Sequence, residues 1–333
     1  MTYIIPNTYL FNNFAKEYRT ALLKTWTIIE ILDCTRFSIF DAATVRNTIN
    51  VWRNEPDGDN VGYRNTSDAE NFNALLKKPR LQINVNELMQ MNQNWGLAFS
   101  LNQDKISLVN KIASSGCPLS SLFPEISQGL IAYDKYQGQS PEIIKNRAYH
   151  FAEYKSGFKK WLWGEDVKRY QVIWNGKEYI DYCDGIANPR QPKYFNGKRL
   201  LVREITNPSI YAAVTSDELY NDPAIIIVKD SENYPIEIVL AILNSRLATF
   251  YHFNHSPKAS KGAFPKILVQ DIKDFPLPIL SGSLEINILK NVDTLLKAKQ
   301  EGKDAIEVET AIDQLVYDLY GLDENERQII ENG

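Results

Sequence analysis

The sequence predicts a chain of mixed α/β and α+β class: a short α/β segment, then a mixed α/β domain, then a C-terminal helical hairpin. Three observations predict it. Strand-like apolar runs surround one helical pattern in the first part of the chain, short strands set off by turn residues follow Gln128, and two helical repeats of apolar residues fill the tail. At 333 residues the chain exceeds the usual size of one domain, and 44% hydrophobic with 23% charged residues is an ordinary globular balance.

Residues 4–8 read as the end of a strand, and Phe14, Tyr18, Ala21 and Leu22 recur at helical spacing between Phe11 and Lys24. Two strands follow, one over residues 28–32 and one from Ala43 to Trp52. This is the closing portion of an α/β sheet without its beginning, because a parallel sheet needs preceding βαβ units to cover its faces. The run from Asn54 to Asn60 clusters Pro, Gly, Asn and Asp and sets the first boundary, giving segments 1–55 and 56–127. The second of these holds a helix over Ser67 to Lys77 and an amphipathic stretch from Lys105 to Ser114, and serves as a bridge.

Segment 128–280 turns to short strands. Tyr170 to Trp174 and Glu178 to Tyr182 flank Asn175-Gly176, the dipeptide that permits a type I′ hairpin turn. Asn196-Gly197 marks a turn before Leu200 to Ile205, and Tyr211 to Thr215 and Ala224 to Val228 read as further strands. One helix is expected from about Ile236 to Phe253, with Ile238, Val239, Ile242, Leu243, Leu247 and Phe250 on its apolar face. Phe275-Pro276-Leu277-Pro278 cannot be a central strand. In segment 281–333, apolar patterns around Ile288 to Leu296 and Val308 to Leu319, separated by Gly302 and closed by Gly321, predict a helical hairpin.

The net charge of −4 averages unlike parts. Residues 281–333 carry 12 acids and 5 bases, leaving 29 acids and 32 bases in residues 1–280. Within 151–205, 11 bases face 7 acids and are interleaved with Tyr154, Phe158, Trp161, Trp163, Tyr170, Trp174, Tyr179, Tyr182, Tyr194 and Phe195. That pattern fits a nucleic-acid surface, and equally a solvated face over an aromatic core. Cys34, Cys117 and Cys183 form neither a disulfide framework nor a metal-ligand pair, and His150, His252 and His255 are too few for a zinc centre. The N-terminus has no basic leader and no apolar run approaches the length of a membrane helix, so a cytoplasmic protein with no membrane partner is expected.

Several stretches resemble one family. Leu243-Asn244-Ser245 in an apolar helix, followed by Phe275-Pro276-Leu277-Pro278, is similar to the C-terminal specificity domain of TaqI-like adenine methyltransferases and of type II enzymes that fuse nuclease, methyltransferase and recognition domain. The tail from Ala311 to Leu322 looks like the closing helix of those fused enzymes. Ile5-Pro6-Asn7 and the stretch from Ile39 to Val45 resemble the last strands of the methyltransferase domain, so the first segment reads as its remnant. The resemblance implies sequence-specific recognition of double-stranded DNA as part of a site-specific adenine-N6 methyltransferase in a restriction–modification system. A stand-alone specificity subunit, or an interaction module without enzymatic activity, is the alternative.

Such enzymes need a glycine-rich loop to approach S-adenosylmethionine and an Asn/Asp-Pro-Pro-Tyr/Phe motif to hold the adenine. The sequence has no Pro-Pro pair. It is therefore expected to be a truncated gene, a split subunit or an excised fragment that binds no cofactor and transfers no methyl group alone. S-adenosylmethionine belongs to the complete enzyme. The expected partners are duplex DNA and the missing methyltransferase part, with a nuclease part in the fused enzymes.

The candidate DNA contacts lie in loops. Tyr133, Lys135, Gln137 and Gln139, followed by Arg147, mix donors and acceptors as base reading requires. The resemblance points to Arg203, Glu204, Thr206 and Asn207 as a stretch leaving a strand toward DNA. His255, Lys258, Ser260 and Lys261 crowd one Gly-ended loop and would bind phosphate. By carry-over from the family, Phe40 would stack on an extruded base, a core phenylalanine being the alternative. Glu165-Asp166-Val167-Lys168 only superficially resembles a nuclease element. The expectation as a whole is a concave, positively charged face formed by loops between residues 128 and 265.

Overall fold

The computed structural model describes the whole chain except residues 36, 38, 41–45, 67, 68, 93, 100, 257, 258, 260–264, 281 and 333. Its contacts divide it into two units, Met1–Asn110 and Lys111–Gly333.

The first unit is built on a five-stranded sheet. Its strands are β1 (Thr2–Pro6), β2 (Thr27–Asp33), β3 (Asn47–Arg53), β4 (Asn60–Asn65) and β5 (Leu81–Asn84), in the order β1-β3-β2-β4-β5. The helices are α1 (Lys16–Thr25), α2 (Phe72–Lys77), α3 (Val85–Gln90) and α4 (Trp95–Ala98). Among the described residues of this sheet β2 and β4 pair in parallel and the other neighbours are antiparallel, so the α/β sheet expected from sequence is a mixed one. The turn-rich run at 54–60 joins β3 to β4 of this one sheet, so the unit runs on past the boundary expected at residue 55. The helix expected over Ser67 to Lys77 shortens to α2, which Asn71 caps by accepting from the Ala74 amide; residues 67 and 68 lie outside the described residues. Leu10, Ile28, Ile31, Val61, Leu88 and Trp95 form the core. Within it Arg19 is fully buried and donates to the carbonyls of Tyr9, Asn12 and Asn92, tying α1 to the turn after α3. Glu30, buried mid-strand in β2, is neutralised by Arg64 at 3.1 Å and Arg80 at 3.0 Å.

The chain passes through α5 (Gln103–Ala113), β6 (Gly116–Pro118), α6 (Leu119–Leu122), β7 (Ile126–Gln128) and α7 (Pro141–Lys145). The second unit then adds β8 (His150–Phe151), β9 (Lys159–Leu162), β10 (Val167–Lys168), β11 (Gln171–Val172) and β12 (Tyr179–Ile180). β13 (Arg199–Arg203), β14 (Ala212–Thr215), β15 (Tyr220–Asn221) and β16 (Ile225–Lys229) follow. One antiparallel sheet has the order β14-β13-β16-β7, and another runs β15-β9-β12-β8. The side chains of Trp161, Leu162, Ile180, Phe195, Leu201, Ile225 and Ile227 form the core these sheets share.

The Asn175-Gly176 hairpin does not form. β11 pairs instead with β10, and β12 pairs with β8 and β9. Gly176 takes φ 76°, but Asn175 is not among the positive-φ residues, and its side chain accepts from the Lys177 amide, an Asx turn in place of a type I′ turn.

The helix expected over 236–253 is two: α8 (Ile236–Asn244) and α9 (Arg246–His255). Ser245 breaks the run at ψ 159°, and its hydroxyl accepts from the Ala248 amide as the N-cap of α9. The buried Asn244 amide accepts from the Ala212 amide at 3.1 Å and donates to the Ala212 carbonyl at 2.9 Å, so it pairs with the edge of β14 as a strand residue would. The Leu-Asn-Ser stretch therefore fastens helix to sheet.

After α10 (Val269–Lys273), β17 (Pro276–Pro278) pairs with β6 in a two-stranded ribbon, where its prolines need not donate. Gly116 is required there, because a Cβ would lie 1.8 Å from the Leu277 carbonyl oxygen. The tail is α11 (Gly282–Gln300), α12 (Ile306–Leu319) and a third helix, α13 (Glu324–Glu331), which the two-helix expectation omits. The pattern of α13 is too short and polar to stand out, with Ile330 its buried residue; a capping box between Asp323 and Glu326 starts it. The tail packs on the rest of the second unit: the Tyr320 hydroxyl donates to the Pro276 carbonyl, and Arg169 pairs with Glu309 at 2.9 Å.

Candidate nucleic-acid interface

The stretch around Tyr133 is braced from within. Asp134 caps a short turn over Lys135–Gln137, and Gly138 closes it at φ 81°. Gln139 accepts from the Asp134 amide at 2.9 Å and donates to the carbonyls of Ala132 and Gly185 at 2.9 and 2.7 Å. Its amide is used up in holding the loop, which removes it as a base reader. Tyr133 is likewise internal: its hydroxyl accepts from the Tyr149 amide and lies 2.8 Å from His150 Nδ1, and its ring stacks on Tyr149. Burial pushes the pKa of His150 down to about 4, so the ring is neutral. What this bracing presents is the tip: Lys135 and Gln137 are exposed, and Tyr136, which lies under the Lys135 ammonium at 4.8 Å, is 83% exposed. Tyr136 is a residue the candidate set omits; its signal is its place between two candidates at the apex of an Asp-started, Gly-ended turn.

Arg147 and Arg203 approach one strand end from two sides. The Arg147 guanidinium lies 5.1 Å over the Trp163 ring and donates to Glu178 at 2.6 Å, while the Trp163 indole donates to the same carboxylate at 2.5 Å. Next in the chain is Gly164, whose position for a Cβ is 3.9 Å from the Arg203 side chain. Arg203 packs over Tyr211 at 5.0 Å and, among the described residues, has no carboxylate within 4 Å. Among the described residues it has no ion-pair partner, whereas Arg147 is matched by Glu178. Nearby, burial raises the carboxyl of Asp222 to about 6, with Glu204 and Asp166 adding to the rise.

The stretch 204–207 divides. Glu204 is committed to Lys266 at 3.0 Å. Thr206 is fully buried with its hydroxyl 3.2 Å from His252, which removes it from any surface. Asn207 is exposed and lines a cavity of about 470 Å³ with Arg169, Arg246, Phe250 and Phe253.

His255 is no phosphate cation: it is half-buried, stacks on Tyr251 at 4.7 Å, and burial holds its pKa down at about 4. Lys258, Ser260 and Lys261 lie outside the described residues. So do residues 41–45 beside Phe40; Phe40 itself is 48% exposed, which overturns the core alternative. Among the described residues no group of His, Cys, Asp or Glu could hold a metal ion, and no helix is long and apolar enough to cross a membrane.

Comparison with known proteins bears on this geometry. Residues 159–277 match the TaqI-like C-terminal specificity domain. The chain is 23% identical over 345 residues to a protein of Methanocaldococcus jannaschii named as a type II restriction enzyme and methyltransferase, RM.MjaORFECS2P, covering 96% of this chain and 27% of that protein. It thus spans about a quarter of that relative's length. Among solved structures, the type IIL restriction-modification enzyme MmeI, determined in complex with DNA, aligns with 99% of this chain and 48% of its own at TM-score 0.55 and 12% identity. The type IIG restriction endonuclease BpuSI aligns at TM-score 0.40 and 12% identity over 96% of this chain and 47% of its own. The fold is thus shared with MmeI, and residues 159–277 are similar to the TaqI-like C-terminal specificity domain, within a sequence similar to a type II restriction enzyme and methyltransferase.

Proposed function

We propose that the chain is the DNA target-recognition part of a site-specific adenine-N6 methyltransferase in a restriction–modification system, working in the cytoplasm with double-stranded DNA and a catalytic partner. The observation that carries this reading is the specificity-domain match over 159–277, the segment that also holds Arg203. Recognition divides into phosphate contacts, which fix register, and base-edge contacts, which choose the site. Lys135 suits the first task as an exposed point charge; Arg203, with its planar fork, and the exposed Gln137 and Asn207 suit the second. Phe40 stays a candidate for stacking on the extruded base.

S-adenosylmethionine belongs to the complete enzyme in this reading. The residues of the first unit do not fit it: of its three glycines, Gly58 packs on Thr27, Gly62 sits inside β4 against the Ile29 carbonyl, and Gly96 packs on Phe11. None opens a helix after a strand to cradle a cofactor, and no transfer step is assigned to this chain.

The test offers the full chain a pool of randomised duplexes and sequences those retained. A defined motif is expected. Arg203→Ala should relax the preference at one position at a cost of about 1–3 kcal/mol, whereas Lys135→Ala should weaken all duplexes alike. Retention of random sequence by the wild-type chain overturns the reading.

A further inference from the structure

The sheet β15-β9-β12-β8 has a second face that the duplex reading leaves unused. Cross-strand register sets Phe151, Tyr179 and Lys160 side by side, the first and last both opposite Tyr179 on the central strand. The rings continue in both directions. Tyr179 meets Trp174 at 5.3 Å and Tyr154 at 5.4 Å, and Phe151 stacks on Phe158 at 4.5 Å. A lysine lies at each end: Lys160 is 4.9 Å over Trp174, and Lys155 is 5.3 Å over Phe151. Both are exposed, and among the described residues neither has a carboxylate within 4 Å, unlike Lys159, which pairs with Glu218. Tyr154 is 64% exposed. At the Trp174 end, a cavity of about 390 Å³ opens, lined by Lys160, Trp174, Thr215, Ser216 and Asp217 among others, and the buried Trp174 indole N–H has no hydrogen-bond partner among the described residues.

A row of half-buried rings, with Tyr154 the open one, bracketed by cations that have no carboxylate partner among the described residues, fits a chain that carries both π-faces and negative charge at short intervals. We propose that this strip, from Lys155 through Tyr154, Tyr179 and Trp174 to Lys160, binds unpaired nucleotides of single-stranded DNA, with a base stacked at Trp174 and the lysines on phosphates. A duplex cannot use it in this way, because its bases are already stacked on each other. The proposal rests on the reading of the chain as a DNA-recognition module, but on residues other than Lys135 and Arg203.

The test measures binding of a fluorescently labelled single-stranded oligonucleotide and of a blunt duplex to the full chain, following tryptophan emission in parallel, with the share of Trp174 read as the difference from Trp174→Phe. The single strand is expected to quench tryptophan emission. Trp174→Ala and the pair Lys155→Glu with Lys160→Glu should each weaken single-strand binding roughly tenfold while leaving duplex affinity within about twofold; Trp174→Phe should restore most of the stacking. Unchanged single-strand affinity in all variants overturns the proposal. So does a heparin fragment, which carries charge without bases, that competes with the single strand but is equally indifferent to Trp174→Ala. Arg203→Ala is expected to lower affinity for the preferred duplex while leaving single-strand binding intact, which separates the two readings, and an equal loss of both overturns the proposal of a distinct single-strand site.

Discussion

Asn244 and Gln139 are both amides in polar stretches, and both are spent on the backbone. Asn244 satisfies the amide and carbonyl of Ala212 and donates to the Leu240 carbonyl, while its own carbonyl accepts from Arg169 at 2.5 Å. Removing the side chain strands the buried Ala212 amide, while the Ala212 carbonyl keeps its bond from the Tyr170 amide. Asn244→Ala is therefore expected to cost about 1–3 kcal/mol of stability, measured by urea unfolding of the full chain, and a cost below about 0.5 kcal/mol would show that β14 does not need this clasp. Sequence shows which residues can hydrogen-bond, not with what. Gln139, Tyr133 and Thr206 look like base readers by type, and each turns inward because a buried backbone group or histidine lies within reach. Lys135, Gln137 and Asn207 keep their surface positions because nothing nearby competes for them.

At the scale of elements, long apolar periodicities were legible and short strands were not. α12 and β13 sit where their patterns place them, because burial of one face decides them. β11 and β12 are two residues each, and their pairing is decided by neighbouring strands that no local turn signal reports. α8 and α9 share a continuous apolar pattern, so only the capping chemistry of Ser245 marks the break. The break directs α9 so that His252 packs against Thr206, buried, with its pKa held down near 3 by loss of water. The unfolded chain takes up a proton at this histidine below about pH 6.5, whereas the folded protein does not until near pH 3. The stability this represents is complete above that range and is lost as pH falls through it. From pH 7 to pH 5 His252 should remove about 2 kcal/mol, and His252→Gln should lessen the fall of the thermal-unfolding midpoint over that interval, with His150 and His255 keeping their own share. An unaltered pH dependence in the variant would place the histidine in solvent.

For the whole molecule, charge is the quantity that composition misreports. The acidic tail that makes the total −4 spends much of its charge internally: Glu309 on Arg169 and Lys299, Asp313 on Arg246, Glu326 on Lys111. The balance over residues 1–280 is positive, and Lys135 and Arg203, the cations assigned to the duplex, are left without carboxylate partners among the described residues. Duplex binding by such a surface releases counterions, with a slope of about −0.9 in log affinity against log salt for each phosphate contacted. The most direct test is therefore the affinity of the full chain for a duplex from 50 to 200 mM salt, conditions chosen on that scale. Contact with about three phosphates predicts a weakening of at least about tenfold across that range, and a duplex affinity that does not change with salt, or no duplex binding at 50 mM, would contradict the assignment.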